Sequence, residues 1–197
     1  MRAHPMASLP STSGVVAAIV AATCASGCGV SADPDRPVPS EGATAQAEIA
    51  WPEAAAVDRG VRDALPVAAR RAVDRSPVPA LVPRRAELLA SATVLAREQW
   101  YAVSARGEGF TVSIHATRMG HRYPSIQPAT GDRSLRGTKA FVTRNEAIWS
   151  ASWRERGASY TMDVECADPG AARCADEAFL LELVEDLAYV GGAGAAR

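Results

Sequence analysis

The chain has 197 residues, with 21 basic and 22 acidic side chains and a formal net charge of −1. This length is typical of one ordinary domain, and the nearly neutral charge argues against a protein that binds polyanions strongly, nucleic acids included. The sequence contains no glycine-rich phosphate loop, no Cys-x-x-Cys pair and no His-Glu-x-x-His motif. Because these motifs carry much nucleotide, redox and zinc chemistry, we expect no cofactor and no metal site.

Prolines and aromatic residues are distributed unevenly along the chain. Ten of the 13 prolines precede residue 84, whereas ten of the 11 aromatic residues lie between Trp100 and Tyr189. Much of the 48 % apolar content is alanine, which buries little area per residue. We therefore expect the hydrophobic core to come from the C-terminal half.

The first 28 residues have the three-part layout of a secretory signal peptide. Arg2 contributes to a weakly basic start, Val15 to Thr23 is an uncharged run, and small residues precede Cys28. The run is about nine residues long, whereas a helix that spans a bilayer needs about 20. The sequence therefore predicts export without a permanent transmembrane anchor.

Ala25-Ser26-Gly27-Cys28 resembles the signal box of bacterial lipoproteins, although that family usually has leucine where this chain has Ala25. The resemblance implies a signal peptide over 1–27 and a lipid, including palmitate, on Cys28 that holds the protein at a membrane. The residue after the cysteine is Gly29. It is not the aspartate that would resemble a signal for retention in the inner membrane. For a Gram-negative cell this implies an outer-membrane lipoprotein facing the periplasm or the cell surface. Small residues around Val30-Ser31-Ala32 offer another cleavage site, so a soluble secreted form is the alternative.

The middle of the chain is expected to connect the anchor to a folded domain. Residues 28–76 are rich in proline and alanine and predict a flexible tether, with a short helix between Ala54 and Asp74. Closely spaced prolines predict extended chain over 80–82, at the edge of the domain. We place the folded domain at 77–192 and a disordered tail at 193–197.

Alternating apolar and polar residues predict an antiparallel sheet. Strands are expected from Trp100 to Ala105 and from Phe110 to Thr117, joined by a turn at 106–109. Further strands are predicted over 140–143, 148–153 and 160–166. Apolar residues at helical spacing predict a helix from Ala175 to Val190 that Gly191-Gly192 ends. The predicted class is α+β, with a sheet of about four to six strands covered by this amphipathic C-terminal helix.

The hairpin IWSASWRERGASYTMDVEC and the following segment ADEAFLLELVEDLAYVGG resemble uncharacterised bacterial cell-envelope domains. Some of those domains occur beside anti-sigma factors, and they are distantly similar to the periplasmic lipoprotein-carrier fold. The resemblance covers residues 77–192. It implies a ligand-binding or regulatory role rather than catalysis.

Cys166 and Cys174 are the two cysteines beyond the signal region. An even pair in an exported chain predicts a disulfide, which would stabilise the fold by about 2–3 kcal/mol in the chain-entropy model. Two free buried thiols and a metal pair are the alternatives. The metal pair lacks further cysteine ligands.

The segment from Met119 to Gly137 is rich in proline and glycine and predicts a long loop, a feature that is often functional in compact domains. Its candidate binding residues are Arg118, Arg122, Tyr123, Arg133 and Arg136. These side chains suit anionic lipid head groups or a polyanionic envelope polymer. Residues 97–156 hold ten basic and five acidic residues, and 157–197 hold two and eight. The alternative is therefore that the basic strands and the acidic helix neutralise each other.

A catalytic set is the other candidate site. Ser113 and His115 share a strand face, and Asp163 is predicted on a neighbouring strand, as a Ser-His-Asp hydrolase would require. No nucleophile elbow accompanies them, and such residues are ordinary on a solvated face.

The favoured function is a lipid-anchored envelope protein with a non-catalytic domain that binds an envelope protein or an apolar ligand, the latter in a groove between sheet and helix. The hydrolase and a purely structural envelope component are the alternatives.

The signal analysis gives the first testable prediction. Protein purified from membranes should begin at Cys28 and carry a mass increase equal to an attached lipid, as measured by intact-mass spectrometry. Cys28→Ala should remove that increase and release the protein from membranes. An unmodified N-terminus upstream of Cys28 in the wild type would show that the lipoprotein resemblance misleads.

Overall fold

A computed structural model describes residues 42–123, 126–127 and 129–195. The predicted signal peptide, Cys28 and the first part of the predicted tether, up to residue 41, lie outside these residues. The described strands are β1 (Ala43–Gln46), β2 (Ala80–Pro83), β3 (Thr93–Ala96), β4 (Trp100–Gly107), β5 (Phe110–Thr117), β6 (Met119–Arg122), β7 (Arg133–Leu135), β8 (Thr138–Asn145), β9 (Ile148–Glu155), β10 (Ala158–Cys166) and β11 (Leu187–Gly191). The described α-helices are α1 (Arg59–Ala64), α2 (Val67–Val73), α3 (Ala86–Ser91) and α4 (Ala178–Glu185).

Seven of the strands form one antiparallel sheet in the order β3-β4-β5-β10-β9-β8-β7. The predicted α+β class is therefore confirmed. The sheet is larger than the four to six strands expected, because the edge strands β3 and β7 have only four and three residues. Such short strands leave almost no periodic signal in a sequence.

The large sheet has one buried face and one polar face, as the alternating residues predict. In β5, Phe110, Val112 and Ile114 are buried, whereas Ser113 and His115 are exposed. Trp100 and Tyr101 are neighbours in β4, and Tyr101 is the one that is buried. The hairpins β4–β5 and β9–β10 match the predicted pairs of strands.

A second layer covers the buried face. It contains a two-stranded antiparallel sheet of β2 and β11 and the short helices, with α2 beside β3, α3 beside β4, and α4 against β9 and β10. Their apolar side chains join the sheet residues in one continuous core, including Leu88, Leu180 and Leu183. None of the described helices is both long and apolar enough to cross a membrane.

Two buried tyrosines connect the two layers. The Tyr101 hydroxyl accepts a hydrogen bond from Leu81 N at 2.8 Å and donates to Leu81 O at 3.3 Å. The Tyr160 hydroxyl donates to Pro79 O at 2.8 Å. Burial raises the pKa of both phenols well above the ordinary value, so both stay neutral and keep their donor protons. The backbone at β2 is thereby fixed to the large sheet.

The C-terminal helix is shorter than predicted. It ends at Glu185 rather than at Val190, and Leu187–Gly191 forms β11 instead. Every residue of β11 is buried, so its apolar run shows no alternation. Leu187 happens to follow Leu180, Leu183 and Val184 at helical spacing. The sequence pattern therefore predicts a helix that continues past Glu185. Gly191 is the end of this strand rather than a helix stop.

The folded region also begins earlier than residue 77. The predicted helix over 54–74 is present as two short helices, because Pro66 stands between α1 and α2. Leu65 and Val73 belong to the common core. The strand β1 already lies within the predicted tether. The segment 119–137, predicted as a loop, contains the strands β6 and β7.

The link between the layers can be tested on Tyr160. Tyr160→Phe should lower the free energy of unfolding by about 1–3 kcal/mol, because Pro79 O would be buried without a donor. Urea denaturation measures the change. Tyr123→Phe, at an exposed position, should change stability by less than about 0.5 kcal/mol. Equal losses in the two variants would contradict the role given to the buried hydroxyl.

Candidate binding cleft

The residues of the predicted hydrolase lie together on the polar face, but they are not linked as a catalytic set. The strand register places Ser113 opposite Asp163 and His115 opposite Thr161. Asp163 Oδ1 accepts a hydrogen bond from Ser150 Oγ at 2.6 Å. Among the described residues, no hydrogen bond joins Ser113 to His115 or His115 to Asp163. A triad needs both bonds to activate its nucleophile and orient its base.

The ribbon formed by β1 and β6 stands beside one end of the large sheet. Strands β1 and β6 pair antiparallel, with Ala45 opposite Gly120. After β1 the chain is held to the sheet, because Ala47 N donates to Arg118 O at 2.8 Å and Ala50 N to Arg156 O at 3.0 Å.

A glycine permits this close approach. Gly157, in the turn between β9 and β10, has φ +84°, a conformation that suits glycine. Its Cα lies against the carbonyl of Glu48, where any Cβ would collide. The backbone after β1 can therefore pass directly over the turn.

A cavity of about 890 Å³ opens between this ribbon and the end of the sheet. We call it the ribbon cleft. Its volume is within the range of small-molecule and cofactor sites. Its lining contains two arginines and no aspartate or glutamate among the described residues. The lining residues are Ala43, Ala45, Gln46, Ala47, Arg118, Met119, Gly120, His121, Tyr123, Ile126, Arg154, Gly157 and Ser159.

The register of the sheet explains how distant segments meet at this end. Trp100, Thr117, Ser159 and Arg154 form one row across β4, β5, β10 and β9. Cross-strand partners project from the same face of a sheet. Arg154 therefore lies on the polar face, at the same level as the start of the ribbon.

Arg118 stands at the junction of β5 and β6 and has unused hydrogen-bonding capacity. Its Nη2 donates to Ala47 O at 3.3 Å, while its Nε is buried and has no acceptor in the described part of the chain. A buried donor without a partner costs free energy.

The five predicted binding residues do not form one surface. Arg118 and Tyr123 line the ribbon cleft, and the Tyr123 ring lies 6.5 Å from the His121 ring in a stacked arrangement. The side chain of Arg122 is outside the described part of the structure. Arg133 and Arg136 lie near the C-terminal helix instead.

Arg133 and Arg136 have acidic partners there. Arg133 Nη2 lies 2.9 Å from Glu177 Oε1, and these side chains are 44 % and 28 % exposed. Arg136 Nε lies 2.9 Å from Glu155 Oε2, and these are only 11 % and 14 % exposed. Burial by itself would lower the pKa of Arg136, but Glu155 and Tyr189 raise it. The pair of Arg133 and Glu177, just before α4, fits the alternative in which the basic strands and the acidic helix neutralise each other, whereas Glu155, the partner of Arg136, lies on β9.

Sequence reasoning missed Arg154, Ser159 and the β1 side of the cleft. Arg154 continues the outward-facing series Ser150, Ser152, Arg154 along β9, so alternation indicated its exposure. Its place beside Arg118 depends on the register of four strands. The short, exposed strand β1 has no apolar face that a pattern would reveal.

Cys166 and Cys174 form a disulfide in the structure, with their Cα atoms 6.5 Å apart. Both cysteines are buried, and the bridge joins the end of β10 to the turn before α4. No cluster of three or more His, Cys, Asp or Glu side chains in the described ranges is arranged to hold a metal ion.

Comparisons of this chain with protein-family models, with curated proteins and with solved structures found no match.

The two kinds of ion pair give a prediction. Arg136→Gln should lower the free energy of unfolding by about 2–3 kcal/mol, because Glu155, which is 14 % exposed, loses its charged partner and keeps the hydrogen bond from Trp153 Nε1. Arg133→Gln should cost about 1 kcal/mol or less, because that pair is more exposed. Urea denaturation measures both changes. Adding Glu155→Gln to Arg136→Gln should recover part of the loss, and a loss that stays unchanged would refute the assignment.

Proposed function

We propose that this protein is a lipid-anchored component of the bacterial cell envelope whose α+β domain binds a partner in the ribbon cleft without catalysing a reaction. The lipoprotein-like signal box supports the anchor at Cys28. The cleft supports the binding function, and it is the observation on which the proposal mainly rests. The secreted form without a lipid is the alternative for the location.

The chain between anchor and cleft sets the range of partners. Thirteen residues lie between Cys28 and Gly42, and a fully extended chain over that interval reaches about 50 Å. A domain anchored in this way stays near the membrane surface. We therefore propose an envelope component, rather than a cytosolic molecule, as the partner.

The buried face of the large sheet leaves no comparable space for a ligand among the described residues, which favours the ribbon cleft as the binding site. The side chains between the sheet and the helices are almost completely buried, with Tyr101, Met162 and Leu183 each at 0 % exposure. No residue of α3 or α4 lines any of the five described cavities. An apolar groove between sheet and helix, as considered from the sequence, therefore has no support from the geometry of the described residues.

The cleft also differs from an arrangement suited to hydrolysis. Its charged groups are Arg118 and Arg154, and it contains no carboxylate among the described residues. His121 lines it, and its Nδ1 lies 3.2 Å from the Thr44 hydroxyl, but no carboxylate among the described residues is hydrogen-bonded to this histidine to complete a catalytic set. Arginine guanidinium groups are donors without acceptor capacity, so they suit the recognition of anions better than proton transfer.

Occlusion of the cleft tests the proposal. Gly120 lines the cleft, and no atom lies within 4 Å of the position that a Cβ would take. Gly120→Trp should therefore fill the cleft without strain in the ribbon. Wild-type protein should bind the neutral apolar dye N-phenyl-1-naphthylamine with increased dye fluorescence, and Gly120→Trp should weaken this binding at least tenfold.

Ser104→Trp provides the matched control, because Ser104 is exposed on β4 and lines none of the five described cavities. It should bind the dye as the wild type does, and both variants should keep the wild-type melting temperature to within about 3 °C. If the wild type binds neither this dye nor an anionic oligomer, or if Gly120→Trp binds the dye as well as Ser104→Trp does, the cleft is not a binding site.

A further inference from the structure

A second cavity adjoins the ribbon cleft and shares a wall with it. This cavity has a volume of about 550 Å³. Arg118 lines both spaces, so its side chain stands where they meet. The lining residues of the second cavity are Trp51, Arg75, Pro77, Arg97, Glu98, Arg118, Ala193 and Gly194.

Four arginines line these two cavities: Arg154 in the cleft, Arg118 in both, and Arg97 and Arg75 in the second cavity. None of the four has an aspartate or glutamate oxygen within 4.0 Å among the described residues, in contrast to Arg133 and Arg136. Glu98 is the one carboxylate in the described lining of the two spaces. We call the four residues the arginine row.

The fold brings these residues together at one end of the large sheet. Arg97 lies in the turn between β3 and β4, where its N–H donates to Trp100 O at 2.8 Å. Arg118 N donates to Gln99 O at 3.2 Å, which joins that turn to the end of β5. Arg75 lies two residues after the end of α2, the helix that packs beside β3. Backbone hydrogen bonds and helix packing thus place these arginines at one end of the sheet.

Like charges held together repel one another, and an anionic ligand relieves this repulsion. The hydrogen-bonding capacity of the Arg118 guanidinium is also only partly used, because its buried Nε lacks an acceptor in the described part of the chain. Guanidinium groups bind carboxylate and phosphate through paired hydrogen bonds. The chemistry of the row is therefore that of an anion-binding site with several contact points.

The shape of the region selects among anionic partners. A bilayer presents its head groups in a plane, whereas the arginine row lies along two recessed spaces. A linear chain can enter both spaces and still contact Arg118 at their junction. The indole of Trp51 forms one wall of the second cavity and is packed against Gly192 and Gly194, where a Cβ on either glycine would collide with the ring. The close packing on the two glycines limits the movement of the Trp51 ring at this wall.

We propose that the ribbon cleft and the second cavity form one site for a linear anionic polymer of the envelope, which carries carboxylate or phosphate groups at intervals and pairs them with the arginine row. This inference rests on the proposed binding function, and it names the class of the partner. Arg118 contacts the polymer between the two spaces, Arg154 on one side, and Arg97 and Arg75 on the other.

Calorimetric titration of the full chain tests the inference. The probes are decagalacturonate for carboxylates, a polyphosphate of about ten units for phosphates, and neutral maltodecaose. At least one anionic oligomer should bind, at least tenfold more weakly when the salt concentration rises from 50 to 200 mM, and maltodecaose should not bind. The preferred oligomer identifies which anionic group the site takes.

Variants locate the site. The double variant Arg97→Gln with Arg118→Gln should reduce the affinity for the anionic oligomer at least tenfold. The matched control, Arg71→Gln with Arg106→Gln, removes the same charge at two exposed positions outside these cavities and should reduce it less than threefold. Equal losses in both double variants would show that net charge, rather than this site, controls binding, and would overturn the inference.

Two further outcomes separate this inference from the proposed function. If vesicles of phosphatidylglycerol and phosphatidylcholine bind through Arg97 and Arg118 while neither oligomer binds, the row is a membrane contact and the polymer is excluded. If no anionic probe binds but the cleft still takes up N-phenyl-1-naphthylamine and loses it in Gly120→Trp, the inference fails and the binding function stands. Absence of both kinds of binding removes both proposals.

Discussion

The hydrogen bonds from Tyr101 and Tyr160 to the backbone at β2 determine how the two layers of this protein fit together. A two-stranded sheet is marginally stable in isolation, and the buried backbone groups of β2 need partners. Tyr101 provides both a donor and an acceptor to Leu81, so a side chain takes the place of a third strand. The tyrosine rings fill the space between the layers at the same time. Binding is therefore left to the polar face and the ends of the large sheet.

The largely buried pair of Arg136 and Glu155 is a further link between the large sheet and the second layer. Arg136 lies in the β7–β8 turn with φ 49°, and its Nη1 donates to Leu187 O at 2.9 Å, just after α4. One side chain thus connects a hairpin turn, β9 and the start of β11. Glu177, just before α4, pairs with Arg133. The residues of the arginine row, one of which directly precedes Glu155 in β9, have no carboxylate oxygen within 4.0 Å among the described residues.

Sequence patterns predicted the elements that bury one face over many residues. The strands β4, β5, β9 and β10 have eight or nine residues each, which is long enough for alternation to identify them. The strand β11 was mistaken for helix because both of its faces are buried, so its apolar run carries no period of two. Within the cleft, Arg118 and Tyr123 were selected from the sequence, but Arg154 joins them through cross-strand register, which a single sequence does not contain.

The two walls of the ribbon cleft differ in how firmly the fold holds them. The sheet side is part of a seven-stranded structure with a buried face, whereas all four residues of β1 are exposed and contribute little hydrophobic stabilisation. Hydrogen bonds with β6, and those from Ala47 and Ala50 to the sheet, hold β1 in place. A ligand that contacts both walls stabilises their association by the difference between its affinities for the joined and separated arrangements. Because β1 follows the segment that leads to Cys28, occupation of the cleft also fixes the point from which the domain is held to its proposed anchor.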